Sequence, residues 1–116
     1  MATISSHTLD SMLGTHAGGI EVELLRIDPS GNRVRVFLAR TDDGGRLREE
    51  VILDAYSPDD QFEMVFQTGD YFARQQHLGH RIIREVVIRL QMPNPNGKYH
   101  IPLMLAPNSY SVWWSD

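Results

Sequence analysis

Ile20-Glu21-Val22-Glu23-Leu24 sets an apolar residue at every second position with a carboxylate between each pair. That period of two turns Ile20, Val22 and Leu24 to one face of an extended chain and Glu21 and Glu23 to the other, the pattern of a half-buried strand. Downstream, Ile27-Asp28-Pro29-Ser30-Gly31-Asn32 supplies a loop. Residues 33–41 read as the returning strand, with Val34, Val36 and Leu38 alternating with Arg33, Arg35 and Phe37. Thr41-Asp42-Asp43-Gly44-Gly45 is a tight turn whose glycines admit positive φ at little steric cost. Val51-Ile52-Leu53 makes a short strand, ended by Ser57-Pro58-Asp59-Asp60, and residues 61–68 make another with Phe62, Met64 and Phe66 on one face. Asp70 is positioned to cap a brief helix over Tyr71–Leu78, the one helical segment expected. Residues 82–92 read as a long, well-buried strand, Asn96-Gly97 as a hairpin turn, and Lys98–Leu105 and Ser109–Trp114 as the last two strands. The expected fold is all-β: an antiparallel sandwich of about eight strands with one short helix, a single domain over residues 1–116.

Composition narrows the function classes. A hydrophobic fraction of 41% and a charged fraction of 22% fit a globular protein. A chain of 116 residues leaves much of its surface exposed, so association is a natural way to bury more. The net charge of −4 gives no general attraction for nucleic acid, and no nucleic-acid partner is expected. The absence of cysteine excludes disulfides, thiolate nucleophiles and Cys-ligated zinc. Met-Ala-Thr-Ile-Ser-Ser-His lacks the basic and apolar regions of a secretion signal, and no apolar run approaches the roughly 20 residues that span a bilayer. The expectation is a cytoplasmic protein without a membrane partner.

Without cysteine, acid, base and electrophile must come from the five histidines, the carboxylates and the arginines. His7 falls in the first strand, Arg46 follows a turn and His100 begins a late strand, and a sandwich can bring such distant positions together. His77-x-x-His80 offers two nitrogens from one helical turn, but with no third ligand in a matching pattern it reads as a polar helix end, and no metal site is expected. Glu21 and Glu23 read as a solvated strand face. The Asp42-Asp43-Gly44-Gly45 turn lacks the spacing of a phosphate or calcium loop.

Lys98-Tyr99-His100-Ile101-Pro102-Leu103-Met104-Leu105-Ala106-Pro107, followed by Tyr110-Ser111, resembles the C-terminal signature of the transthyretin and 5-hydroxyisourate hydrolase family, His-Tyr-His-Val-Pro-Leu-Leu-Leu-Ser-Pro. Ser6-His7-Thr8-Leu9-Asp10 with Gly14 and Ala17-Gly18-Gly19-Ile20 is similar to the family's beginning. Thr41-Asp42-Asp43-Gly44-Gly45-Arg46 resembles its Thr-Asn-x-Asp-Gly-Arg turn, and Phe66-Gln67-Thr68-Gly69-Asp70-Tyr71-Phe72 its Phe-x-x-Gly-Asp-Tyr-Phe block. The blocks come in family order across almost the whole chain.

The resemblance implies a transthyretin-like sandwich and a homotetramer, a dimer of dimers with sites at the interface between dimers. It implies a catalytic set of His7, Arg46 and His100, a polar set that carrier transthyretins lack, and no cofactor. The chain departs from the family pattern at Lys98, where a histidine is usual, at His16, where proline is usual, and at Gly44, where aspartate is usual. It ends Trp113-Trp114-Ser115-Asp116 where hydrolases end Tyr-Arg-Gly-Ser, a tail of equal length that has lost a cation and gained a carboxylate and aromatic area.

The implied reaction is hydrolysis of a cyclic acyl bond in an oxidised purine, as in urate degradation. His7 and His100 would move the protons, since an imidazole titrates near neutrality. Arg46 stays charged and would anchor a carbonyl or ureide and stabilise an oxyanion. Lys98, Trp113 and Trp114 would contribute to substrate binding, the indoles as an apolar wall for a planar ring. Two alternatives stand beside this: a diverged paralogue acting on another cyclic amide, imine or ureide, and a non-catalytic binding protein for an aromatic ligand.

Overall fold

The computed structural model describes residues 1–75 and 79–115. Two sheets pack face to face with one helix at their end. In chain order the strands are β1 (Ala2–Asp10), β2 (Thr15–His16), β3 (Glu21–Ile27), β4 (Arg33–Arg40), β5 (Arg46–Val51) and β6 (Gln61–Phe66). The helix α1 (Thr68–Arg74) follows, then β7 (Val86–Gln91), β8 (Lys98–His100), β9 (Leu103–Ala106) and β10 (Ser109–Val112). One sheet runs β4-β3-β6-β7, antiparallel throughout. The other is built around β1, which takes β5 and β2 antiparallel along one edge and β8 and β9 parallel along the other, with β10 outside β9.

The expected alternation is plainest in β1 and β6. Ala2, Ile4, Ser6, Thr8 and Asp10 are buried while the residues between them are half-exposed. Phe62, Met64 and Phe66 are fully buried from the facing sheet, beside Val22 and Leu24 of β3. The polar members of the buried row are all satisfied: Ser6 Oγ donates to the Ile101 carbonyl at 2.6 Å and Thr8 Oγ1 to the Ala17 carbonyl at 2.7 Å. Asp10 accepts from the Met12 and Leu13 amides at 2.9 and 3.1 Å and from the Tyr71 hydroxyl at 2.8 Å, tying the β1–β2 turn to α1. Burial and the neighbouring carboxylate push the Tyr71 phenol far above its ordinary value, so it remains a donor.

Several expectations are corrected. In β4 the expected alternation holds only at Val36: Phe37 and Ala39 also pack inward, while Val34 and Leu38 are exposed. The cause is a bulge between Leu24 and Leu25, where the partner jumps from Phe37 to Arg35 and the alternation shifts. The strand expected at residues 51–53 lies earlier, at Arg46–Val51. Helix α1 starts at Thr68 with Gln67 at its N-cap and no side-chain cap, and Asp70 sits in its first turn. The expected extension to Leu78 falls on residues outside the described set. Residues 82–85 are not strand, and β7 is an edge strand with alternate residues exposed rather than a buried one. Asn96-Gly97 does turn the chain, with the Gly97 amide donating to the Asn94 carbonyl at 3.0 Å. It joins strands of different sheets, however, and so is a crossing and not a hairpin. The segment 98–105 divides into β8 and β9 at Ile101-Pro102. Among the described residues no helix is long and apolar enough to cross a membrane.

On the outer face of the β4-β3-β6-β7 sheet, Glu63 is buried beneath two arginines. Arg33 clamps it through both carboxylate oxygens at 3.0 and 2.9 Å, and Arg89, its cross-strand partner, adds a third bond at 2.6 Å. These bonds lower the Glu63 carboxyl from 4.5 to about 2. A depressed carboxylate stabilises the fold above its unfolded value, and that contribution is lost as pH falls from about 4.5 towards 2. We expect Glu63→Gln to cost about 1.5–3 kcal/mol at pH 7, the range for hydrogen bonds to a charged group. In urea unfolding the difference from wild type should shrink as the pH is taken from 5 to below 3.

Candidate active site

Because β1 alternates, Thr3, Ser5, His7 and Leu9 share the face of the sheet that points away from the core. The strands beside β1 extend this row into a grid. Thr3 lies between Glu50 and Lys98, Ser5 between Arg48 and His100, His7 beside Arg46, and Leu9 between His16 and Met104. Side chains directly opposite on neighbouring strands stand about 5 Å apart at Cβ, and successive rows are about 7 Å apart. His7, Arg46, His100 and Lys98, remote in sequence, are therefore neighbours on one open sheet face.

The turn before β5 fixes Arg46. Asp42 Oδ1 accepts from the amides of Gly44 and Arg46, both at 2.9 Å, closing the turn on itself. Gly45 holds φ at +76°, and a Cβ there would lie 2.4 Å from the Thr8 carbonyl oxygen. Only glycine lets the turn approach β1 closely enough for the Thr8 amide to reach the Gly45 carbonyl at 2.8 Å. The same close approach leaves the Gly44 carbonyl 3.1 Å from His7 Nε2.

That contact determines the tautomer of His7. A carbonyl only accepts, so Nε2 carries the proton and Nδ1 carries the lone pair. His16 Nδ1 stands 3.0 Å from the same Nε2–H and is placed to accept from it as well. The proton affinity of His7 is lowered, chiefly by desolvation and next by the charge of Arg46, with smaller contributions from His16 and His100 when those rings are charged; the Gly44 carbonyl opposes them. His100 is held differently: its Nδ1 is 2.8 Å from Ser5 Oγ, a hydroxyl that can donate or accept and so serves either tautomer.

The tail reaches this face. His100 pairs with Ser115, its amide donating to the Ser115 carbonyl at 3.2 Å and its carbonyl accepting from the Ser115 amide at 2.9 Å. This pairing keeps the register that joins Leu103 to Val112, so the tail continues β10 as one ladder. Strand alternation along it separates the two indoles. Trp113 falls on the His100 side, next to Pro102, whereas Trp114 falls opposite and lines a groove with Leu90, Pro93, Tyr99 and Ile101. Of the two indoles offered as an apolar wall, alternation thus sets Trp113 on the His100 side. Asp116 and His77 lie outside the described residues, and the His80 carbonyl accepts from Asn108 Nδ2 at 2.7 Å.

Sequence reasoning missed Ser5, His16 and Arg48 on this face. The period-two pattern of β1 already aligns Ser5 with His7, but the cross-strand register that adds Arg48 and His16 has no local signal. Glu23 of the solvated pair expected on β3 is ion-paired with Arg35 at 2.7 Å.

The HIUase/Transthyretin family profile matches residues 4–114. Among curated proteins, the chain is 31% identical to a 5-hydroxyisourate hydrolase of Halalkalibacterium halodurans, covering 95% of this chain and 94% of that one. It is 30% identical to a 5-hydroxyisourate hydrolase of Pseudomonas aeruginosa, covering 97% and 90%. Among solved structures, the Klebsiella pneumoniae 5-hydroxyisourate hydrolase superposes with a TM-score of 0.78 at 25% identity over the full length of both chains. An (S)-allantoin synthase superposes with a TM-score of 0.82 at 28% identity; the match covers 99% of this chain and 44% of that longer one.

The electrostatics of the face carry a direct test. Arg46 holds the His7 titration midpoint down through its charge, so Arg46→Gln should raise it. We expect His7 to titrate below 6.5 in the wild type and closer to it in the variant, read from imidazole resonances by NMR.

Proposed function

The chain belongs to the HIUase/Transthyretin family, and we propose that it hydrolyses 5-hydroxyisourate at the open face of the β1 sheet. The observation that carries this reading is the register of β1, which sets His7 opposite Arg46 and Ser5 opposite His100, so that two imidazoles and a guanidinium share one face. His7 is the better base at neutral pH, because burial and Arg46 keep it unprotonated with Nδ1 as its lone-pair nitrogen. In this mechanism His7 Nδ1 takes a proton from the attacking water as the water oxygen bonds to the acyl carbon. The acyl C–N bond then breaks, and His100 protonates the departing nitrogen. Arg46 binds the carbonyl oxygen and stabilises the negative charge it acquires.

The face is open in a single chain, so a ligand on it is covered from one side only. A homotetramer, built as a dimer of dimers that packs two such faces together, would close the site. Unpaired edges support association: β10 exposes Tyr110 and Val112, and β7 exposes Val87. Lys98, one row from His100, adds a cation for a carbonyl-rich substrate, and Trp113 offers a ring face for a planar one.

The primary test is turnover of freshly generated 5-hydroxyisourate against its spontaneous decay. We expect His7→Ala and His100→Ala to lower kcat by about 10²–10⁴, the usual contribution of general acid–base catalysis. Arg46→Lys should also be impaired, since an ammonium lacks the planar fork. Near-normal rates in all three folded variants would remove the mechanism.

The two tryptophans should part company. Trp113→Ala is expected to raise KM while leaving the melting temperature within a few degrees. Trp114→Ala should lower the melting temperature by stripping apolar cover from Tyr99 and Ile101, with KM unchanged. Equal effects of the two changes on KM would contradict their assignment to opposite faces.

A further inference from the structure

We propose that His16 is a positioning residue for His7: its Nδ1 lone pair, together with the Gly44 carbonyl, accepts the His7 Nε2–H and stabilises the positive charge that His7 acquires during catalysis. The inference rests on the hydrolase reading above and names a residue that reading does not use.

The geometry is specific. The two rings lie 5.1 Å apart between centroids and are inclined at 34°, with Nε2 of His7 and Nδ1 of His16 at 3.0 Å. Since the Gly44 carbonyl at 3.1 Å can only accept, the proton between the rings belongs to His7, and His16 presents a lone pair. The His16 side chain is exposed, but its backbone is fixed. Its backbone is paired with Leu9 in β2, and the next residue is pinned by the Ala17 amide donating to the Thr8 carbonyl at 2.9 Å. The turn that brings it back across β1 is closed by the Gly14 amide on the Asp10 carbonyl at 2.9 Å, with Gly14 at φ +70°.

The chemistry follows from the donor. When His7 Nδ1 takes a proton, the ring becomes an imidazolium and Nε2–H becomes a stronger donor. A hydrogen bond from a charged donor is about twice as strong as a neutral one. Base and orienter are thus arranged as in other proton-transfer sites, with an imidazole and a carbonyl where a carboxylate often stands. The arrangement works only while His16 is neutral. A protonated His16 would set N–H against N–H across 3.0 Å and leave the Gly44 carbonyl as the acceptor for His7. Other charged groups bear on each ring. Arg46 of β5 and His100 of β8 face His7, while Asp10, Arg40, Asp43, Tyr71 and Arg74 line the grooves beside His16.

Two variants separate this role from simple packing. His16→Ala removes the acceptor, whereas His16→Asn retains a side-chain oxygen close to the Nδ1 position. With 5-hydroxyisourate as substrate, kcat should fall about tenfold in His16→Ala with KM unchanged, the fold-change expected for losing a hydrogen bond to a charged group. His16→Asn should recover most of it. In NMR titrations of labelled histidine, the His7 midpoint should fall in His16→Ala, which loses the acceptor, and recover in His16→Asn. An unchanged kcat in His16→Ala, or an asparagine variant as slow as the alanine one, overturns the inference. So does a His7 titration curve that is the same in all three proteins. If the wild type does not turn over 5-hydroxyisourate, the hydrolase reading fails, and the titration alone then decides whether the pair shares a proton.

Discussion

The molecule is organised by the edges of one strand. β1 is nine residues long and forms ladders with four others, β5 and β2 on one side and β8 and β9 on the other. Its buried row runs from Ala2 to Asp10 and brings Ala2 and Ile4 to the core, and its outer row carries Ser5 and His7. A shift of one residue in register would send His7 into the core and Ser6 out, because side chains alternate strictly. The core and the site are therefore fixed by the same hydrogen bonds. The polar residues in the buried row anchor them further: Ser6, Thr8 and Asp10 each bond to a neighbouring element. Such satisfied polar groups favour one register over its neighbours, since a slipped ladder would strand them without partners.

Charge on the outer face is segregated from charge elsewhere. The chain is net negative by four, yet this face gathers Arg46, Arg48 and Lys98 around His7, His16 and His100, with Glu50 as a counter-charge through a 3.1 Å pair to Arg48. One buried carboxylate, Glu63, is neutralised by its own two arginines on the opposite sheet. A local excess of cations lowers the proton affinity of His7 and favours carbonyl-rich or anionic ligands over cationic ones. This argues against the cationic ligand that an indole by itself would allow.

How much of this was legible in the sequence depends on whether the signal is local. The half-buried strand at Ile20–Leu24, the Phe62, Met64 and Phe66 face, and the glycine turn before Arg46 all rest on neighbouring residues and are found as expected. The returning strand 33–41 was placed well but its expected apolar face holds only at Val36, not at Val34 and Leu38. A bulge at Leu24/Leu25 changes which face Phe37 and Leu38 meet, and a bulge is a property of the pair of strands. The Asn96-Gly97 turn has hairpin chemistry, yet its flanking strands pair elsewhere because β8 finds the parallel edge of β1. The convergence of His7, Arg46 and His100 came from a family resemblance and not from any spacing. His16 and Ser5 were passed over because their significance lies in what stands 3 Å away across a ladder.

The tail shows how register can replace composition as the guide to specificity. By composition, Trp113 and Trp114 are equivalent, and the loss of the family's tail cation suggests a site rebuilt from two indoles. The ladder from β10 through Ser115 divides them instead, because neighbours on an extended chain point to opposite faces. Trp113 then shares the His100 face, and Trp114 lies against Tyr99 and Ile101 at the sheet edge. A residue at position 114 of any kind would meet that edge, so the chemistry of the tail at the site rests on positions 113 and 115. Ser115 places a small hydroxyl beside His100, in the same transverse row as Ser5. His100 is thereby flanked by two serines, one of them hydrogen-bonded to its Nδ1, and the aromatic contribution is confined to one side of the row. The tail thus changes the shape of the wall beside His100 while leaving the backbone frame that positions the histidine intact.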